Sequence, residues 1–153
     1  MAGKIPIYSS ATGKTELLDP VVKTDAEWKS ILPERTYEVA RLKGTEPAYT
    51  GEYYKTHDDG IYQCACCRTD LFDSKDKFES GTGWPSFSAP IAKENVRKAE
   101  DRSYGMVRVE VLCARCGAHL GHVFDDGPAP THMRYCMNSA SLTLVKRKTG
   151  KSG

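Results

Sequence analysis

Two Cys-x-x-Cys pairs, Cys64/Cys67 and Cys113/Cys116, constrain this chain more than any other feature, because they use four of its six cysteines. A two-residue spacer turns both sulfurs of a pair toward one point, so two pairs complete a tetrahedral thiolate site of the kind that binds zinc. The 45 residues between Cys67 and Cys113 exceed the span of a compact finger. A metal there would staple two distant loops of a larger domain. One structural zinc ion per chain is expected, and no organic cofactor. Cys66 lies within the first spacer, where shorter spacing strains chelation, so Cys64 and Cys67 are the expected ligands. A closed four-thiolate site does no chemistry itself, which leaves Cys66 and Cys136 as the thiols free to react.

With 153 residues, the chain suits a single domain with a hydrophobic core that needs no disulfides. No N-terminal leader pattern and no apolar run of about 18 residues is present, so a cytoplasmic protein without a membrane partner is expected. In that reducing compartment cysteines bind metal or react rather than form permanent bridges. The 22 Lys+Arg against 20 Asp+Glu leave a net charge of +2, too little to point to a nucleic-acid partner. The local basic excess at Lys146-Arg147-Lys148 and Lys151 reads as a solvated end. A monomer is expected, with residues 1–23 as an extended or poorly ordered arm, 24–146 as the folded domain and 147–153 as a basic tail.

Thr24-Asp25-Ala26-Glu27 fits a capping box opening a short helix through Leu32. A second helix from Glu34 to Lys43 is expected to stop at Gly44. Beyond Pro47 the signals turn to strands, with Asp58-Asp59-Gly60 marking a turn before Ile61–Cys64. From Met106 to Leu112, Val107, Val109 and Val111 alternate with Arg108 and Glu110. Arg134 to Val145 reads as one strand, in which Arg134, Cys136 and Asn138 share a face with Ala140, Leu142 and Leu144.

His119, His122, Arg134, Cys136 and Asn138 gather two imidazoles, a guanidinium, a thiol and an amide within 20 residues. A neighbouring cation lowers a thiol pKa and makes it a nucleophile, and histidine can serve as a general acid near neutral pH. Singly, each residue has a plainer reading, with Cys136 a small buried hydrophobe and either histidine capping a turn or ligating the zinc. Together they point to a catalytic cysteine. In Gly81-Thr82-Gly83-Trp84-Pro85-Ser86-Phe87, glycines and proline hold a large ring on a shaped loop. That ring suits core packing or an aromatic wall for a small apolar group.

Thr50-Gly-Glu-Tyr53, Ser80-Gly-Thr-Gly-Trp-Pro-Ser-Phe87, His119-Leu-Gly-His-Val-Phe124, Asp126-Gly-Pro128 and Arg134-Tyr-Cys-Met-Asn-Ser139, interleaved with the two cysteine pairs, resemble the methionine-R-sulfoxide reductases of type B. The resemblance spans about residues 24–146. It implies a mainly β fold of two antiparallel sheets with short N-terminal helices outside, and thiol-dependent repair of methionine-R-sulfoxide in oxidised proteins or peptides. By the same resemblance Cys136 is the nucleophile, and Trp84, with Phe87 beside it, forms the substrate-binding aromatic wall. His119, His122 and Asn138 surround the sulfoxide oxygen, Arg134 lowers the cysteine pKa, and Asp126 holds Arg134. Thr82 stands where many members carry a second, resolving cysteine. Resolution is then expected from Cys66 or from an external thiol such as thioredoxin. Two other readings use the same residues: a non-enzymatic zinc-ribbon binding module, and a peroxide sensor built on an activated Cys136.

Overall fold

The computed structural model describes residues 3–102 and 105–146. The basic stretch expected at 147–153 lies outside them. Thr24 accepts a hydrogen bond from the Glu27 backbone N–H at 3.1 Å, and the Glu27 side chain accepts from Thr24 N–H at 2.8 Å. This reciprocal cap opens helix α1 (Asp25–Ile31), which buries Trp28. Pro33 precedes the short α2 (Glu34–Thr36), which runs into a π-helical turn, Tyr37–Arg41. That wider turn uses up one residue, so Lys43 rather than Gly44 takes the left-handed conformation, with φ 62°. Lys43 tolerates it because it is exposed and its ammonium reaches Glu110 at 3.5 Å.

The chain is otherwise mainly β, and every strand pair is antiparallel. Residues 5–18 hold more structure than a loose arm. β1 (Ile5–Ser9) and β2 (Lys14–Leu18) form a hairpin. Tyr8 N–H donates to Asn95 Oδ1 at 2.8 Å, and the Ser10 hydroxyl donates to Asp70 at 2.7 Å, so the hairpin is tied to buried polar groups of the main body. A polar, turn-rich sequence gives little periodic signal for such a strand pair, because its partners lie 60 and 87 residues away.

β3 (Gly60–Cys64) and β4 (Asp70–Asp73) join the last strand, β11 (Leu142–Lys146), in a three-stranded sheet ordered β11-β3-β4. A six-stranded sheet takes β5 (Lys77–Phe78), β6 (Ser86–Phe87), β7 (Val96–Asp101), β8 (Arg108–Cys113), β9 (His119–Phe124) and β10 (Arg134–Met137) in the order β5-β6-β10-β9-β8-β7. The sheets meet through aromatic side chains: Phe72 of β4 stacks on Phe87 of β6 at 4.5 Å, and Tyr62 of β3 meets Phe87 edge-on at 5.1 Å. Offset and edge contacts of this kind add to what area burial alone provides.

The single strand expected from Arg134 to Val145 is divided. β10 ends at Met137, a 3-10 turn covers Ser139–Ser141, and the chain resumes as β11 in the other sheet. The turn passes the chain between sheets and breaks the two-residue period, so Leu142 and Leu144 do not continue the face of Arg134 and Cys136. Within β10 the alternation holds. Tyr135 and Met137 enter the core, while Arg134 and Cys136 remain half-buried on the opposite face.

Candidate active site and metal centre

The two cysteine pairs form matching knuckles at the ends of β3 and β8. In each, the residue after the second cysteine is left-handed, Arg68 at φ 65° and Gly117 at φ 76°. Its N–H returns to the carbonyl of the first cysteine, Arg68 to Cys64 at 2.8 Å and Gly117 to Cys113 at 2.9 Å. The four sulfurs of Cys64, Cys67, Cys113 and Cys116 lie within 4.8 Å of one another. Cys64 Sγ is 3.6 Å from Cys116 Sγ, and Cys67 Sγ is 3.5 Å from Cys113 Sγ. Tetrahedral metal–sulfur bonds of about 2.3 Å place sulfurs roughly 3.8 Å apart, so the cluster fits a bound metal ion. Arg41, at the end of the π-helical turn, covers it. Its Nη1 is 3.6 Å from Cys116 Sγ, its Nη2 donates to Cys116 O at 3.1 Å, and its guanidinium lies 4.4 Å over the Trp28 ring.

The reactive residues collect on the outer face of the six-stranded sheet. Cys136 pairs with His122 of β9 on one side and Ser86 of β6 on the other. A cavity of about 240 Å³ opens beside it, lined among others by Trp84, His122, Arg134, Cys136 and Asn138. Trp84 is held by its indole N–H, which donates to Glu46 O at 2.9 Å. Gly83 before it has φ 91°, and a Cβ there would lie 2.8 Å from Ala48 Cβ and the Tyr49 backbone nitrogen, so the turn that presents Trp84 needs glycine.

Burial pushes the Cys136 thiol above its ordinary value, and Thr82, Arg134 and Ser86 pull in the opposite direction. The expected pull of Arg134 on the thiol is present, and desolvation of the sulfur is the larger effect. Thr82 Oγ1 sits 4.0 Å from Cys136 Sγ and 2.8 Å from Ser80 Oγ, to which Ser86 also donates at 2.8 Å. Arg134 grips Asp126 through two bonds, Nε to Oδ1 at 2.8 Å and Nη2 to Oδ2 at 3.1 Å. That pair raises the Arg134 pKa and lowers that of Asp126. The guanidinium also covers the Phe124 ring at 4.5 Å.

The two histidines occupy different depths. His122 lines the Cys136 cavity, and its Nε2 is 2.7 Å from Asp101 Oδ2. His119 lies one layer behind, 3% exposed, with Nδ1 2.7 Å from Glu110 Oε2. Burial lowers its pKa against the pull of Glu110, which favours the neutral ring. A second, polar cavity of about 560 Å³ touches both histidines, Glu110, Asp101 and Arg108, so His122 stands between it and the thiol. Asn138 reaches the cavity, but its Oδ1 accepts from Glu46 N–H at 3.0 Å and its Nδ2 donates to Leu120 O at 3.2 Å. One amide hydrogen remains for a ligand.

Two expected site residues lie elsewhere. Phe87 is fully buried between Phe72 and Tyr62 and does not border the cavity, because the strand alternation that exposes the Ser86 face to Cys136 turns Phe87 into the core. Cys66 packs against the core at the first knuckle and is absent from the cavity lining. Sequence reading passed over Glu110 and Asp101 as site residues. The alternation of β8 carried the signal for Glu110, since a charged residue placed opposite a histidine in the ladder faces the site rather than solvent.

A cluster fit for a metal ion and a cavity lined by one thiol, one imidazole and an indole define a metal-stapled β protein of thiol chemistry. Residues 32–146 match the SelR domain. The chain is 55% identical over 130 residues to the peptide methionine sulfoxide reductase MsrB of Pseudomonas syringae pv. syringae, covering 85% of this chain and 99% of that one. Its identity to the protein of the same name from Methanosarcina barkeri is 53% over 133 residues, covering 87% and 94%. For that of Hahella chejuensis it is 56% over 125 residues, covering 82% and 90%. The chain belongs to the SelR domain family.

Proposed function

We infer that this protein reduces methionine-R-sulfoxide, in peptides or free, to methionine, with Cys136 as the nucleophile. The observation that carries the assignment is the cavity itself, where an indole, a thiol and an imidazole line one space. Trp84 offers an apolar wall for the methyl group. His122 and the remaining Asn138 amide hydrogen supply donors for the oxygen. Placing methyl, oxygen and chain separately is what distinguishes one sulfoxide epimer from the other.

Chemically, the Cys136 sulfur gives an electron pair to the sulfoxide sulfur as the S–O bond breaks. The oxygen ends on Cys136 as sulfenic acid, and the methionine sulfur is reduced by two electrons. The thiol proton travels through His122 to that oxygen, which cannot leave its sulfur unprotonated. Because burial raises the Cys136 pKa, deprotonation and attack are joined at this step, with Arg134 stabilising the developing sulfur charge. His119, backed by Glu110, holds the ring of His122 from behind, the two centroids being 5.5 Å apart.

Two equivalents of an external thiol then return the sulfenic acid to thiol, releasing water and a disulfide. Thioredoxin has the required chemistry. An external thiol suits this site better than Cys66, whose flanking cysteines are fixed in the metal knuckle. Zinc is the ion assigned to the four-sulfur cluster, since four thiolates in tetrahedral array are its preferred set. Among the described residues no helix is long and apolar enough to cross a membrane, and six unpaired cysteines suit the reducing cytoplasm. Residues 24–146 form the catalytic unit and need no second copy to complete the cavity.

The deciding experiment supplies a racemic methionine sulfoxide peptide with dithiothreitol and resolves the epimers by chromatography. Loss of the R epimer alone, dependent on Cys136, is the expected result. Consumption of both epimers, or none, overturns the assignment. A binding module would consume neither.

A further inference from the structure

We propose that Glu46 is a positioning residue that sets the distance between the aromatic wall and the nucleophile. The proposal rests on the roles given above to Trp84 and Cys136. Glu46 is 2% exposed and sits between three parts of the site that are remote in sequence. Its carbonyl accepts the Trp84 indole N–H at 2.9 Å, its N–H donates to Asn138 Oδ1 at 3.0 Å, and its Oε1 accepts from the Ala140 backbone N–H at 2.9 Å. The first bond reaches the tryptophan loop, the second the residue after β10, and the third the turn that carries the chain into the other sheet.

The third bond governs the other two. Backbone groups of residue 46 can hold Trp84 and Asn138 in register only while the segment itself is fixed, and its side chain is anchored at Ala140. A buried carboxyl is costly unless its oxygens are matched, yet Glu46 Oε2 is buried with no hydrogen-bond partner among the described residues. Gly51 makes room for it, since a Cβ at residue 51 would collide with Oε2 and with Ser139. Packing alone would be served better by an apolar side chain. The carboxyl is explained by reach: among acidic side chains only Glu extends from this segment to the Ala140 N–H, and Asp falls one methylene short.

The test compares Glu46→Gln, Glu46→Asp and Glu46→Ala on the R-sulfoxide peptide, with the indole N–H signals of Trp84 and Trp28 followed by NMR. Gln keeps an oxygen for Ala140 and should stay within about threefold of the parent. Asp and Ala should lose on the order of tenfold to a hundredfold in kcat/KM, the scale of a one-ångström misplacement, chiefly through KM. In both, the Trp84 indole N–H should shift and exchange faster while the Trp28 signal stays in place. Should Ala fail to fold, Asp decides. Parent-like kcat/KM and indole exchange in Asp, or a loss in Gln as large as in Ala, overturns the proposal. A parent protein with no R-sulfoxide turnover indicts the assigned function instead, and the indole exchange then still tests whether Glu46 holds Trp84.

Discussion

Cys136 and His122 stand directly opposite each other across the β9–β10 ladder. Side chains at paired positions project from the same face of a sheet with their Cβ atoms about 5 Å apart, so the imidazole is held beside the sulfur by backbone geometry. Replacing Cys136 with Ser should reduce turnover roughly a thousandfold or more, with metal content and melting temperature unchanged. His122→Gln should cost about a hundredfold, the usual share of a positioned acid. Steady-state rates beside metal analysis check both, and substantial turnover in the serine variant would sink the assignment.

Burial raises the Cys136 pKa and Arg134 opposes it, which fixes a direction with pH. Alkylation of Cys136 by iodoacetamide, followed by mass spectrometry, should accelerate as pH rises, with its midpoint above the ordinary thiol value of 9.0. Arg134→Gln should move that midpoint higher still, because the thiolate loses its cation. A midpoint that falls in this variant would show that the guanidinium does not act on the sulfur.

Removing one sulfur from the metal cluster should lower metal content and stability together, since binding free energy in such a site is folding free energy. For Cys113→Ser a loss of about 3 kcal/mol corresponds to roughly 10 °C in melting temperature for a chain of this size. Elemental analysis and thermal denaturation measure the pair. Full occupancy with an unchanged melt would mean that Cys113 is no ligand.

Arg41 donates toward Cys116 and lies over Trp28. Groups that hydrogen-bond to metal ligands commonly tune affinity by tenfold to a hundredfold. Arg41→Met should therefore release the ion to a chromogenic chelator about tenfold faster, and Arg41→Lys by less. Equal release rates in all three proteins would make Arg41 a packing residue only.

Cys66→Ser should leave thiol-supported turnover unchanged, and peptide mapping of parent protein after one equivalent of substrate should recover no Cys66–Cys136 disulfide. A mapped bridge between them, with lost turnover in the variant, would transfer the resolving role to Cys66.

The features legible in the sequence were those whose cause is local. The capping box at Thr24 and Glu27 closes within four residues, and each knuckle is made by its own spacer and a left-handed residue. Cys136, His122 and Trp84 were identifiable because their residue types are rare and clustered. What local pattern could not supply was partnership across the chain. Alternation assigned Cys136 and Leu142 to one strand, yet the Ser139–Ser141 turn divides it. Phe87 belonged to an aromatic motif, and only contact with Phe72 from the other sheet places it in the core. Glu46 carries no motif of its own, since its importance lies in bonds to residues 38, 92 and 94 positions away.

β8 carries Glu110 beneath His119 and ends in Cys113. Because successive residues of a strand face opposite ways, a slip of one position would turn Glu110 away from the imidazole and put a valine in its place. The sulfur cluster at the strand's end works as an index stop against that slip. A defect at the knuckle can therefore surface as an altered proton inventory beside Cys136 before any strand comes apart.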